Sequence, residues 1–317
     1  MTDRAQLLDR AAGVIVGQAC GDALGAGYEF GPPLDDAVPV VLGGGPNTMG
    51  WAPGEWTDDT AMAVPLLRAA AAGWRFDGSA ALAEVIEQWR VWARTARDVG
   101  IQIRAVLADI PQSTEADARA AAERLHVERG RSGGNGSLMR TGPVALAFLG
   151  ADPGEPSALA AAARRVSELT HWEHDAGDAC VIWSLAIRHA VLTGEADARV
   201  GLGALPAERA ARWAALLDEA ETRRPRDFEQ NGWVVEALQA AWSAIHAASD
   251  PVDALERAVR SGRDTDTVAA IAGQLVGAAH GATALPPEWR SRLHGWPGLR
   301  DAELVALAEQ AAGRALG

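Results

Sequence analysis

The sequence contains no lysine: all 29 basic residues are arginine. A Schiff-base lysine and the lysine of a G-x-x-x-x-G-K-[ST] phosphate loop are excluded with it. Cysteine is nearly as scarce. Cys20 and Cys180 fall inside apolar helical patterns. They cannot build a disulfide framework or a cysteine zinc site, and they read as buried, inert thiols of a reducing cytoplasm. Long apolar runs are missing too, each being broken by glycine or charge before the roughly 18–20 residues a membrane span needs, so no membrane partner is expected. Residues 11–20, "AAGVIVGQAC", lack the positive flank of a signal peptide because Asp3 and Asp9 offset Arg4 and Arg10, and they read as a core helix. A net charge of −13 repels polyanions and argues against a protein whose main partner is the nucleic-acid backbone, although a local basic patch would still serve a modified nucleotide. A monomer is expected.

What the chain does have is alanine-rich helix. Its 317 residues, 48% of them hydrophobic, supply a sizeable core. Apolar residues at three- and four-residue spacing predict helices over 5–27, 59–73, 78–96, 101–108, 115–126, 157–169, 175–193, 207–220, 231–247, 251–260, 266–281 and 301–315. Alternating β-branched stretches are nearly absent, and "VPVVLGG" at 38–44 is too short and glycine-flanked to demand a sheet. With no Pro/Ser/Gly-rich linker, the expectation is an all-α fold in one domain over 1–317. Gly13, Gly17, Gly21 and Gly25 fall four apart, as do Gly273, Gly277 and Gly281. Glycine costs about 1 kcal/mol relative to alanine inside a helix, so two such stripes predict close backbone approach at the centre of the bundle.

The loops carry the chemistry. Residues 43–56, 127–143 and 261–267 are polar or glycine-rich and stand directly before apolar helical runs. The stretch "GEWTDDTAMAV", 54–64, sets Asp58 and Asp59 between Thr57 and Thr60 at a helix start. Capping accounts for part of this, with Thr57 as N-cap and the carboxylates favoured by the macrodipole. Capping needs only one acid, whereas a hard divalent cation such as Mg2+ takes several oxygen ligands. Both readings stand for these residues alone. A second acid-and-threonine cluster, "DTDT" at 264–267, exceeds what capping requires. If the two helix starts converge, Thr57, Asp58, Asp59, Asp264, Asp266 and Thr267 form an oxygen-only cage for one or two Mg2+ ions.

Asp22 and Glu29 end the first glycine-striped helix, and Glu29 sits where a helix C-terminus disfavours an anion. "GGNGSLMR", 133–140, is a glycine-rich turn whose backbone N–H groups suit phosphate, with Ser132 and Asn135 as polar contacts and Met139 as core. In "THWEHDAGDAC", 170–180, the His174–Asp175 pair suggests an HD phosphohydrolase, for which only His126 offers an upstream histidine.

Taken in order, "GQACGDALGAGYEF", "WTDDTAMAV", "GGNGSLMRTGPVAL", "THWEHDAGDACVIWSLAI" and "GRDTDTVAAIAGQLVGAAHG" resemble the ADP-ribosylglycohydrolase family, the group of the dinitrogenase-reductase-activating glycohydrolase and the ADP-ribosyl-acceptor hydrolases. The resemblance implies an all-α orthogonal helical bundle around a binuclear Mg2+ centre. It implies metal ligands at Thr57, Asp58, Asp59, Asp264, Asp266 and Thr267. Glu29 would be a gate or catalytic carboxylate, with Asp58, Asp59 and Asp264 counted in the catalytic group. Ser132 and the 133–137 backbone (Gly133, Gly134, Asn135, Gly136, Ser137) would face a diphosphate, with His171 close by. The substrate would be an ADP-ribosylated protein, nucleic acid or small molecule, cleaved at ribose C1″ to release ADP-ribose.

Two positions depart from the family pattern. Arg263 stands where glycine is frequent, to bind phosphate or narrow the acceptor side. Gly133 replaces an aromatic residue that stacks adenine in some members, leaving Trp51, Trp56 and Trp172 as candidates. A family member that binds ADP-ribose without hydrolysing it is the alternative reading. An isoprenoid-diphosphate site is a third, disfavoured by the small complement of four Phe and one Tyr.

Overall fold

The computed structural model describes residues 3–317. Among the described residues fourteen α-helices run in chain order: α1 (Arg4–Gly25), α2 (Asp58–Ala71), α3 (Ser79–Ala93), α4 (Ile101–Asp109), α5 (Glu115–Arg129), α6 (Gly142–Ala145), α7 (Glu155–Ser167), α8 (His174–Thr193), α9 (Ala207–Thr222), α10 (Val234–His246), α11 (Pro251–Val259), α12 (Thr265–His280), α13 (Pro287–Arg290) and α14 (Asp301–Leu316). The fold is all-α. The twelve expected helices are present, and the two-turn or shorter α6 and α13 are added to them. The only sheet among the described residues is a hairpin of β1 (His294–Gly295) and β2 (Leu299–Arg300), too short for any alternating pattern to announce it. It has a positional use: Trp56 N–H donates to the His294 carbonyl at 3.0 Å and His294 N–H to the Gly54 carbonyl at 3.0 Å, which fixes the chain entering α2.

Helices α1 and α12 form the centre, as the glycine stripes require. A Cβ on Gly13 would lie 2.0 Å from the Gly277 carbonyl oxygen, and one on Gly17 would lie 2.2 Å from that of Gly273. On Gly25 it would lie 2.5 Å from the Asp266 backbone. The two backbones therefore touch along their length, and α8, α10, α11 and α14 pack around them with Trp183 and Trp213 fully buried. The contact also has a consequence for chemistry. It carries the C-terminal half of α1, with Asp22, and the N-terminus of α12, with Asp266, into the same few ångströms.

No helix among the described residues is long and apolar enough to cross a membrane.

Candidate active site

The N-terminus of α2 is capped from outside the helix. Thr57, its N-cap residue, makes no capping bond of its own. Instead Asp22 Oδ1 accepts from the Thr57 amide and hydroxyl, both at 2.8 Å, while Asp22 Oδ2 accepts from the Thr60 amide at 2.9 Å and hydroxyl at 2.6 Å. The orphan donors of the first turn are thus satisfied by α1, and neither Asp58 nor Asp59 is needed as a cap. Asp59 is fully buried, and its Oδ1 has no hydrogen-bond partner.

The start of α12 is shaped by Arg263, whose φ of 62° is left-handed, the conformation that favours glycine. The bend lets Arg263 N–H donate to the Gly31 carbonyl at 2.7 Å and Phe30 N–H to the Arg263 carbonyl at 2.6 Å, which draws Glu29 beside Asp264. Its guanidinium turns outward, toward Glu229 at 3.7 Å and the Arg226 carbonyl. Asn135 Nδ2 donates to Asp264 Oδ2 at 2.8 Å and to the Asn231 carbonyl at 2.9 Å. Thr267 N–H donates to Asp266 Oδ1 at 3.0 Å, and its side chain lies beside Asp264.

Carboxylate oxygens of Asp22, Asp59 and Asp266 lie within 4.8 Å of one another, as do those of Glu29, Asp264 and Asp266. The two groups share Asp266. Thr57 Oγ1 is set among them, 3.0 Å from Asp59 Oδ2 and 3.4 Å from Asp266 Oδ2. Asp58 stands at the edge, belongs to neither group, and faces Asp98 and the Gly100 backbone.

Burial pushes every one of these acids up. Asp22 rises to about 6 despite its four hydrogen bonds, and Glu29 to about 9, through burial first and then Asp264, Asp98, Asp58 and Asp22. Asp58, Asp59 and Asp266 are raised well above the carboxylate range by burial and by their neighbours' charges. Orphaned carboxylate oxygens at Asp59 and Glu29, in an all-oxygen donor set, fit a hard divalent cation.

Two openings flank the cluster. A groove of about 530 Å³ is lined by Gln102, Arg129, Arg131, Ser132, Gly133, Gly134, Glu173 and Trp233. It borders the acids through Gly232, where a Cβ would lie 3.8 Å from Asp264 Oδ2. Within the glycine loop, Ser132 N–H donates to Glu173 Oε2 at 2.7 Å and Ser132 Oγ meets His126 Nδ1 at 2.8 Å. Ser137 Oγ turns inward, accepting from Ser167 Oγ at 2.9 Å. His171 is buried and its pKa falls well below the usual value, through burial and then Arg140. Arg140 donates to Thr170 Oγ1 at 2.6 Å, and Thr170 Oγ1 meets His171 Nδ1 at 2.8 Å. The opposite ring nitrogen faces the loop, since a Cβ on Gly134 would lie 3.4 Å from it. The second opening is a cleft of about 150 Å³ bounded by Trp51, Trp56, Trp92, Trp296, Asp58 and Asp98.

Two of these positions are silent in the sequence, Asp98 as a lone aspartate in a turn and Glu173 masked by the neighbouring histidines, whereas Asp22 stands out there with Glu29 but without an assigned role. Trp233 lines the groove, whereas Trp51 and Trp56 line the cleft on the other side and Trp172 lies under the Arg119 guanidinium. The His174–Asp175 pair builds no metal centre: Asp175 accepts from Arg212 at 2.7 Å and also pairs with Arg209, and His174 is exposed.

A family model described as ADP-ribosylglycohydrolase matches residues 3–316. The chain is 32% identical over 297 residues to "ADP-ribosylarginine hydrolase Tri1" of Pseudomonas putida (strain GB-1), covering 90% of this chain and 74% of that protein. It is 29% identical over 308 residues to "ADP-ribosyl-[dinitrogen reductase] glycohydrolase" of Rhodospirillum rubrum, covering 90% of each. A solved structure, "ADP-ribosylglycohydrolase-related protein complex", superimposes with a TM-score of 0.74 at 28% identity, covering 98% of this chain and all of that one.

Proposed function

The chain belongs to the ADP-ribosylglycohydrolase family of hydrolytic enzymes, and from that premise we propose that it is a Mg2+-dependent hydrolase that releases ADP-ribose from an ADP-ribosylated acceptor, with arginine as the favoured acceptor. The observation that carries this is the pair of carboxylate groups sharing Asp266, set between a groove large enough for a nucleotide and a narrow aromatic cleft. A pair of Mg2+ ions would be held by Asp22, Asp59 and Asp266 on one side and Asp264 and Asp266 on the other, with Thr57 among them and Glu29 beside them. Bound there, the ions supply positive charge that organises ribose hydroxyls and water.

The protein's own residues do the rest. Gly133 and Gly134 of the glycine loop, backed by His171, offer backbone donors to the diphosphate, and Trp233 offers an aromatic face to the adenine. Glu29, whose Oε2 is buried without a partner, is placed to take a proton from a water attacking C1″. Water's oxygen bonds to C1″, the bond from C1″ to the acceptor breaks, and the acceptor leaves with a proton. Asn135 keeps Asp264 in orientation through its 2.8 Å bond. The arginine preference is supported by the name of the Pseudomonas relative and by a cleft whose walls are indoles and whose floor is acidic.

Binding without turnover is the lesser reading, since the Arg263 guanidinium that prompted it lies against Glu229, away from the acids. We further propose a cytoplasmic monomer. The test is mass-spectrometric detection of free ADP-ribose from an ADP-ribosylarginine peptide and, in parallel, from serine and nucleic-acid substrates. Release from the arginine peptide supports the reading; release only from another acceptor corrects the acceptor; tight ADP-ribose binding with no release from any of them overturns the hydrolase.

A further inference from the structure

At the mouth of the aromatic cleft the chain supplies its own guanidinium. Arg97 lies 4.3 Å over the ring of Trp51, pairs with the Glu55 carboxylate, and donates from Nη1 to the Gly50 carbonyl at 2.9 Å. An aromatic face and a carboxylate are the two partners a guanidinium binds best, by cation–π attraction and by charge-assisted hydrogen bonds. These contacts occupy the rim of a cavity whose inner end is Asp58 and Asp98, beside the proposed reaction centre. The Arg97 side chain is 45% exposed, so leaving this position returns it to water at small cost. Trp51 Nε1, by contrast, is buried and has no acceptor within reach, a donor left over in the wall of the cleft.

We propose that Trp51 and Glu55 form a guanidinium subsite for the acceptor, held in the free protein by Arg97 and taken over by the acceptor's arginine. The proposal rests on the arginine reading above and names the residues that would enforce it. The exchange replaces one guanidinium by another on the same aromatic face and the same carboxylate, so the contacts broken are regained. A serine acceptor has nothing with which to displace Arg97, and the subsite therefore discriminates by charge as well as by shape. Arg97 is a specificity residue in this account, with no part in bond breaking.

The probe is agmatine, a guanidinium compound without ADP-ribose, titrated against the full chain by tryptophan fluorescence and by saturation-transfer NMR. Arg97→Ala vacates the subsite and is expected to bind agmatine about tenfold more tightly than the parent, and Arg97→Met, which keeps the stem over Trp51, only slightly more tightly. Adding Glu55→Gln to Arg97→Ala is expected to abolish the gain. For ADP-ribosylarginine, Arg97→Ala lowers KM several-fold and leaves kcat within about twofold. Unchanged or weaker agmatine binding in folded Arg97→Ala overturns the subsite, even if hydrolysis proceeds normally. Tighter agmatine binding without hydrolysis of ADP-ribosylarginine by any variant upholds the subsite and overturns the arginine reaction instead.

Discussion

Asp22 Oδ2 accepts from both the amide and the hydroxyl of Thr60, at 2.9 and 2.6 Å, so a carboxylate of the first helix closes the N-terminus of the second. The same residue stands in one of the two acid clusters. Structure and chemistry are therefore tied at one side chain. Asp22→Asn preserves its shape but substitutes an amide donor for one acceptor oxygen, leaving buried donors of Thr57 or Thr60 unpaired at about 1–3 kcal/mol. A loss of stability of that order in urea unfolding, together with at least a hundredfold loss of ADP-ribose release, is expected. Loss of activity with unchanged stability would show that Asp22 does not hold α2.

Gly17→Ala tests the contact that brings the clusters together. Its Cβ would lie 2.2 Å from the Gly273 carbonyl oxygen, backbone that no rotamer change can move. Overpacking of this kind costs about 1–3 kcal/mol or more, and the shifted α12 start should also weaken Mg2+ binding in calorimetry. Gly313→Ala in α14 is the control: its nearest neighbour would be 4.0 Å away, and the helix should gain up to about 1 kcal/mol.

Much of this was legible beforehand. The two glycine stripes announced the central helix pair because close backbone contact leaves no room for a side chain. The TDDT and DTDT segments announced acid-bearing helix starts because their acids outnumber what caps consume. Asp98 and Trp233 were not legible, since a lone aspartate in a turn and one tryptophan among twelve acquire meaning only when the chain folds them beside Asp58 and the glycine loop. Glu173 belongs with them, because its approach to the Ser132 amide is a tertiary contact between α8 and the loop.

The acid centre makes stability fall with pH when divalent ions are removed. A carboxyl raised in the folded state binds more protons than its unfolded counterpart, so its contribution is fully present below the unfolded pKa of roughly 4 and is lost as pH rises through the folded value. For Asp22 that value is about 6 and for Glu29 about 9. In EDTA the melting temperature should decline steadily from pH 5 to 9. Added Mg2+ should restore it, with the larger increment at high pH. A melting temperature flat with pH in EDTA would contradict the picture of crowded, unneutralised acids.

Asn135→Asp removes the donor that holds Asp264 and adds a like charge beside it. Partners that orient metal ligands typically cost 10–100-fold when lost. A drop of that size in kcat, with raised Mg2+ demand, is expected from steady-state kinetics across a Mg2+ titration. Asn135→Ser, which keeps the charge neutral, should lose less.

Trp233→Ala should act on binding alone. Removing the aromatic face of the groove is expected to raise KM for an ADP-ribosylated substrate about tenfold while kcat holds, because stacking on adenine is worth about 1–3 kcal/mol. A selective fall in kcat would place Trp233 elsewhere in the reaction.

The most direct measurement is of Asp266, the carboxylate common to both clusters. Mg2+ binding by calorimetry and release of free ADP-ribose would be followed side by side in the parent and in Asp266→Ala. The account predicts that the parent binds Mg2+, that EDTA stops release, and that Asp266→Ala loses both binding and release while remaining folded by circular dichroism. Undiminished release by Asp266→Ala, or by the parent in EDTA, would contradict it.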